Sequence, residues 1–265
     1  MIPLQHGAGP WAVYDCLLQA ADSTERIHEV LIGLTWTLCR SAPGIGLAMS
    51  PGTATRTLPW PGTLVGQPMV EIAAWVRDWD PYRATVGMAA LNAVLNVSSP
   101  LLKRALPIIP KGPANLAVFE YFADRLSGQK VVVVGRYPGL ESYTRKLDIT
   151  VLERQPGGAD LPDPASEYVL ADADWVFMTA TTLVNKTFPR LAELSRKATL
   201  VLMGPTVPWT EDLAVFGVDY LAGTQITNAE ALRQTIAEGG GTRIFEQGLR
   251  YCMADLNAST TRRYG

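Results

Sequence analysis

The chain has little of what soft-metal and redox sites are usually built from. Its 265 residues hold two histidines, His6 and His28, and three cysteines, Cys16, Cys39 and Cys252. Neither histidine sits in an HxxxH, HExxH or Cys-x-x-Cys setting, so no Cys/His zinc site is expected and no protein metal ligand is assigned. Three cysteines far apart in sequence do not make a disulfide framework; buried thiols are expected. Charge is scarce as well. Charged residues make up 18% of the chain and the formal net charge is −2. No basic run exceeds a pair (Lys103–Arg104 and Arg262–Arg263), which argues against a nucleic-acid or acidic-lipid partner. No stretch approaches the ~20 apolar residues of a membrane helix. The start, MIPLQHGAGPW, lacks the basic-then-apolar build of a signal peptide, so the cytoplasm is the expected compartment. Gly-x-Ser-x-Gly, GxxxxGK[ST] and G-x-G-x-x-G are absent, and no Ser-His-Asp arrangement is visible.

What is present is an apolar chain, 48% hydrophobic, long enough for two domains and compatible with a homodimer. Residues 9–21 read as a helix. From Val30 to Cys39 the side chains alternate with period two, which predicts one long half-buried strand of an antiparallel sheet. Leu47–Ala48–Met49 reads as a short returning strand. Residues 51–68 form a Gly-, Pro- and Thr-rich loop, longer than a compact domain usually carries without a purpose. The loop presents Arg56, either an anion-binding group or a solvated side chain. Helices follow at 69–79 and 82–97. Asp80–Pro81 is the expected cap of the second, and Asn92 and Asn96 share one of its faces.

Pro100, Pro107, Pro110 and Pro113 mark a boundary. It separates an α+β unit, residues 1–110, from residues 111–265. Beyond it the pattern alternates strand and helix, which predicts α/β architecture with a parallel sheet. Strands are expected at 130–134, 149–152, 175–179, 199–203 and 218–222. Helices are expected at 115–126, near 165–170 and at 186–196, and from a capping box at Thr227–Glu230. The tail after Met253 is expected to fray.

Ligands of open α/β sheets bind beyond the C-terminal strand ends. Those ends carry Gly135–Arg136–Tyr137–Pro138–Gly139; then Glu153; then Thr179, Thr181, Thr182, Asn185 and Lys186; then Gly204 and Thr206. Gly135 and Gly139 suit a turn approaching an anion, although their G-x-x-x-G spacing does not favour NAD. Glu153 stands where nucleotide folds place an acid for ribose hydroxyls, or else pairs with Arg136 or Arg154. The threonines, Asn185 and Lys186 offer hydroxyl, amide and ammonium groups to an oxyanion, or cap the next helix. A desolvated Lys186 is a candidate base or Schiff-base former.

Several segments together resemble one known family. They are GLAMSP with TRTLPWPGTLVG, VGMAALNAVLN, VVVVGRYPGL, LERQPGGADLPD, ADADWVFMTATTLVNKT and LVLMGPTVPWTEDLAVFGVDYLAG, spanning about residues 33–241. The family is that of "putative heavy-metal chelation" proteins, of unknown function. The resemblance implies an enolase N-terminal-like domain joined to an atypical Rossmann-like domain, with a site in the cleft between them. It also implies that Arg56 and Asn92 meet that cleft. Three readings stay open. The first is a protein of metal homeostasis that binds a small anionic or metal-complexed ligand, for which Glu153 and Asp160 are conceivable hard-cation ligands. The second is an enzyme on a small polar metabolite, with Lys186 or Glu153 as acid or base and a nucleotide-type cofactor such as S-adenosylmethionine. The third is a binding or assembly module without catalysis. The cofactor is not identified by the sequence.

Overall fold

The computed structural model describes residues 9–144 and 147–257. Its strands are β1 (Glu29–Ile32), β2 (Trp36–Arg40), β3 (Ile45–Met49), β4 (Leu106–Pro107), β5 (Val131–Val134), β6 (Ile149–Glu153), β7 (Leu161–Pro162), β8 (Trp175–Thr179), β9 (Thr199–Met203), β10 (Tyr220–Ile226) and β11 (Leu249–Asp255). The first three form an antiparallel sheet. The other eight form one sheet in the order β4-β11-β10-β9-β8-β5-β6-β7. Within it, β10, β9, β8, β5, β6 and β7 run parallel to their neighbours, and β11 and β4 are antiparallel. The expected α/β class is therefore the observed one. No helix of the described residues is long and apolar enough to cross a membrane.

The Pro81–Ser98 helix is the centre of the molecule. Asp80 caps it by accepting the Arg83 N–H at 2.8 Å, and Pro81 occupies its first turn. It ends where Ser99, which precedes Pro100, turns extended, because a residue before proline avoids helical geometry. Small side chains let neighbours come close. A Cβ on Gly46 of β3 would sit 2.1 Å from the Ala89 carbonyl oxygen, so only glycine lets the strand lie directly on the helix. The other face of the small sheet, through Trp36, Leu38 and Leu47, packs on Leu232 and Ile236 of the Ala229–Ala237 helix.

The strands of the large sheet alternate between two cores, as period-two geometry requires. Val132, Val134, Val176, Met178, Leu200 and Leu202 join the N-terminal helices in one continuous core. Val131, Val133, Phe177 and Val201 face Phe119 and Phe122 of the Ala117–Leu126 helix. The first core thus runs across residue 110 without a break, and β4, which precedes residue 111, pairs with β11.

Four local expectations are corrected. The long strand over Val30–Cys39 is a hairpin: β1 and β2 pair antiparallel around a turn in which Gly33 N–H donates to the Trp36 carbonyl. The single face expected for Val30, Ile32, Trp36 and Leu38 is split by the turn: Val30 and Ile32 join the first core with Cys39, Trp36 and Leu38 face the other side with Leu31, and Leu34 at the turn is 82% exposed. The helix read over Lys186–Arg196 begins later, at Phe188–Leu194, and a separate turn of helix covers Thr181–Val184. Lys186 between them takes φ 67°, the one left-handed non-glycine among the described residues. The tail is ordered past Met253: Ala254 lies in β11 and is buried, as is Leu256, while residues 258–265 lie outside the described residues. Of the three cysteines, Cys39 and Cys252 are buried and Cys16 is half-buried.

Candidate functional site

The sheet order places a switch point between β5 and β8. From β5 the chain moves to β6 and β7 on one side, then returns to β8 on the other. Diverging connections open a crevice at such a point, beyond the C-terminal strand ends. In register, Val134 pairs with Met178, so Gly135 and Thr179 stand side by side at the switch point. Gly135 has φ 95°, and a Cβ there would meet the Thr179 methyl at 2.9 Å. On the other side of β8 follow Gly204 and Thr206, after β9.

The N-terminal unit is tied to this edge. Met49 N–H donates to Thr206 Oγ1 at 3.0 Å, which brings the end of β3 to the end of β9. The buried Asn92 Nδ2 donates to the Leu47 carbonyl at 2.8 Å and the Thr206 carbonyl at 2.9 Å. One turn later, Asn96 Oδ1 accepts the Trp209 N–H at 3.0 Å. The asparagine face expected from sequence is therefore a seam holding the central helix to residues 206–209. Asn92 Oδ1 is buried there without a partner.

The third strand end is densely bonded. Thr179 Oγ1 donates to Thr181 Oγ1 at 3.1 Å, and Thr181 Oγ1 reaches Met49 Sδ at 3.6 Å. Thr182 is buried and donates to the Thr179 carbonyl at 2.7 Å, so its hydroxyl fixes the turn. Asn185 Oδ1 accepts from the Thr187 N–H and hydroxyl, which caps the next helix. Lys186 Nζ folds back on the Val184 carbonyl at 2.8 Å. Burial lowers its pKa from the usual lysine value to about 8, with the charge of Asp78 pulling the other way.

At the first and second strand ends the charged groups serve the loops. Glu153 accepts the Arg136 N–H at 2.8 Å and the Gln155 N–H at 3.2 Å. The Arg136 guanidinium spans both Asp160 oxygens, Glu141 and the Gly157 carbonyl. That clamp, led by the Arg136 hydrogen bond, holds Asp160 below the usual carboxylate range. Glu153 thus meets the backbone of Arg136, and the guanidinium goes to an acid that sequence spacing did not pair with it. Gly139 takes φ 86° against Leu116. Arg56 stands exposed on the 51–67 loop, with no hydrogen bond or ion pair to the strand ends among the described residues. No group of three His, Cys, Asp or Glu that could hold a metal occurs among the described residues.

The structure thus brings Gly135, Thr181, Gly204, Thr206 and Asn92 to one edge and leaves Lys186, Glu153 and Arg136 in separate contacts. Two residues named at those strand ends, Thr179 and Tyr137, were not singled out as site residues. Thr179, the last residue of β8, touches both Gly135 and Thr181. Tyr137, the middle of the Gly135–Gly139 turn, buries its hydroxyl. The signal for both was position at a strand end. Two cavities, of about 210 and 80 Å³, lie elsewhere. The larger is at the opposite strand ends, by Lys130, Asp148 and Asp172.

These features define an α/β protein with a parallel-dominated sheet and a small antiparallel sheet whose β3 end meets the residues after β9. The chain matches two family models with one description, "putative heavy-metal chelation": DUF4213 over residues 14–95 and DUF364 over residues 117–254. The second alone covers just over half of the chain, and the chain belongs to this family, whose function is unknown. A solved protein of unknown function from the DUF364 family of Desulfitobacterium hafniense is 30% identical, with TM-score 0.80 over 93% of this chain and 98% of that one. A second, from Pyrococcus horikoshii, is 20% identical and shares the fold with TM-score 0.74 over 91% and 97% of the two chains. An uncharacterized protein of Methanocaldococcus jannaschii is 26% identical over 174 residues, and this chain spans 63% of its length.

Proposed function

We propose that this protein binds a small anionic or metal-complexed ligand in the crevice at the ends of β5, β8 and β9, in a cytoplasmic chelation or metal-homeostasis role. Residues 1–110 and 111–265 form its two walls. One observation carries the reading: the topological switch point at β5 and β8 lies one strand from the end of β9, where Met49 and Asn92 bond to Thr206. The family description points in the same direction. Among the described residues no thiolate, imidazole or carboxylate cage exists, so a metal would arrive with its own ligands. Hydroxyls and backbone amides suit the oxygen-rich surface of such a complex. Native mass spectrometry of protein purified without chelators tests this. An added mass that matches a metal complex or an organic anion supports the reading. A bare chain that also fails to take up ferric citrate or nickel–histidine overturns it.

A second reading, an enzyme acting through Lys186, draws on one observation. A half-buried lysine in a left-handed turn, with pKa lowered to about 8, carries a neutral amine fraction near neutral pH. Covalent trapping by borohydride in the presence of pyruvate, lost in Lys186→Met, supports it. An unlabelled wild-type chain contradicts it.

A further inference from the structure

We infer that the cavity of about 210 Å³ at the start of β5 and β6 is a second binding site. Its ligand class is a small zwitterion, an ammonium and a carboxylate on a short aliphatic body, as in an amino acid with a small side chain. The cavity lies at the end of the large sheet away from the crevice, so it stands or falls independently of the crevice reading.

Three observations carry it. First, both signs of charge meet at one cavity without pairing. Lys130, Asp148 and Asp172 all line it, and none of the three side chains makes a hydrogen bond or ion pair among the described residues. Elsewhere charges do pair, as Arg136 with Asp160, Arg190 with Glu167 and Arg233 with Glu29. An ammonium and two carboxylates that share one cavity, yet stay beyond ion-pair distance, leave a gap for a guest charged at both ends. Its ammonium would face the carboxylates and its carboxylate Lys130. The Thr150 hydroxyl on the same wall is also without a partner among the described residues, and adds a donor.

Second, the backbone holds these groups in place. Lys130 N–H donates to the Asp174 carboxylate at 2.8 Å, and the Lys130 carbonyl accepts from the Asp174 N–H at 2.9 Å. Val131 N–H donates to the Asp148 carbonyl at 2.9 Å, and Val132 pairs with Thr150 in register. Asp172 ends the Leu170–Asp172 helical turn, which the buried Leu170 anchors. A guest therefore meets a fixed backbone and orders only side chains. Third, size and lining set the body of the guest. Val132, Val169 and Ala173 supply apolar wall, and Tyr168, 83% exposed, supplies an aromatic ring on the solvent side. A volume of about 210 Å³ equals that of roughly seven water molecules, which is room for a molecule of valine's size.

The test is an amide chemical-shift titration of the full-length protein with glycine, L-alanine and L-valine. At least one of them is expected to shift the amides of residues 130–132, 148–150 and 168–173, and to leave those of Gly135 and Thr179 in place. Failure of all three to shift the cavity amides at millimolar concentration overturns the proposal. The tightest binder is then compared with its two counterparts that lack one charge; for L-valine these are isovalerate, without the ammonium, and isobutylamine, without the carboxylate. Each is expected to bind about tenfold more weakly, having lost one charge-assisted contact. An amine or a carboxylate that binds as tightly as its parent amino acid contradicts the zwitterion. Lys130→Gln should erase the preference over the amine, and Asp148→Asn with Asp172→Asn the preference over the carboxylate; preferences that survive these changes refute the assignment. Urea midpoints of the variants should match wild type, because none of these side chains is bonded within the fold. A clear drop for Lys130→Gln would show that the ammonium is already taken, which also defeats the proposal.

Discussion

Replacing Asn92 with alanine is expected to cost the fold about 1–4 kcal/mol, and the reasoning can be followed bond by bond. Asn92 is fully buried, and its two amide protons go to the Leu47 carbonyl at 2.8 Å and the Thr206 carbonyl at 2.9 Å. Removing the donor leaves two carbonyls short of a partner in a dry interior, at about 1–3 kcal/mol each. Two effects offset part of this. Alanine is the better helix former by roughly half a kcal/mol, and the orphaned Asn92 Oδ1 disappears with its own desolvation cost of about 1 kcal/mol. With a urea m-value of about 3 kcal/mol/M, the midpoint should fall by about 1 M. Hydrogen exchange should rise locally at residues 47–50 and 204–207, because the seam joins exactly those two segments. A loss below about 1 kcal/mol, or no change in exchange there, would refute the claim that Asn92 fastens the two units.

Three further outcomes follow from other sites. Gly135→Ala should destabilise by about 2 kcal/mol, from a positive φ and a methyl 2.9 Å from Thr179 Cγ2; adding Thr179→Ser should recover the steric part, as urea melts of the two variants will show. Lys186 holds its proton less tightly folded than unfolded, since its folded pKa is about 8. The unfolded chain therefore binds more protons between about pH 8 and about pH 10, and stability rises with pH across that window. Wild type should gain more than Lys186→Met between about pH 7 and about pH 9.5, and equal gains would contradict the desolvation of Lys186. Asp160 has the opposite sign: the Arg136 clamp depresses its pKa, so its contribution is present above the ordinary aspartate range and lost as pH falls through the folded value. In Arg136→Ala, proteolysis of the 155–160 loop at neutral pH should resemble that of acidified wild type, and an unchanged cleavage rate would count against the clamp.

Periodic and capping signals were legible in the sequence because local chemistry decides them. The apolar runs at β5, β8 and β9 stand where they were expected, and Asp80–Pro81 starts the central helix. The hairpin at Gly33 was hidden because the letters alternate without a break through Leu34, while in space the turn puts Val30 and Ile32 on one face and Trp36 and Leu38 on the other. At Lys186 the run TTLVNKTF carries capping residues at several positions, and nothing in it marks Lys186 as the left-handed one. The strand ends were legible in location, and their side-chain contacts less so. Gly135, Thr181, Gly204 and Thr206 follow β5, β8 and β9 as the pattern places them. What the side chains do there depends on partners far away in sequence. Arg136 meets Asp160 across 24 residues, and Asn92 meets Thr206 across 114. Tyr137 was read only as part of the Gly135–Gly139 turn, because a tyrosine in a Gly-Pro turn reads as a surface side chain until its hydroxyl is seen to be buried.

The central claim is that a ligand occupies the crevice between the ends of β5 and β8. The most direct measurement is a crystal structure of protein purified without chelators, citrate or phosphate, with anomalous data for metals. The account predicts difference density bounded by Gly135, Tyr137, Thr179 and Gly204. Density confined to the 210 Å³ cavity at the opposite strand ends, by Lys130 and Asp148, would contradict it, as would an empty crevice in protein that carries a ligand elsewhere.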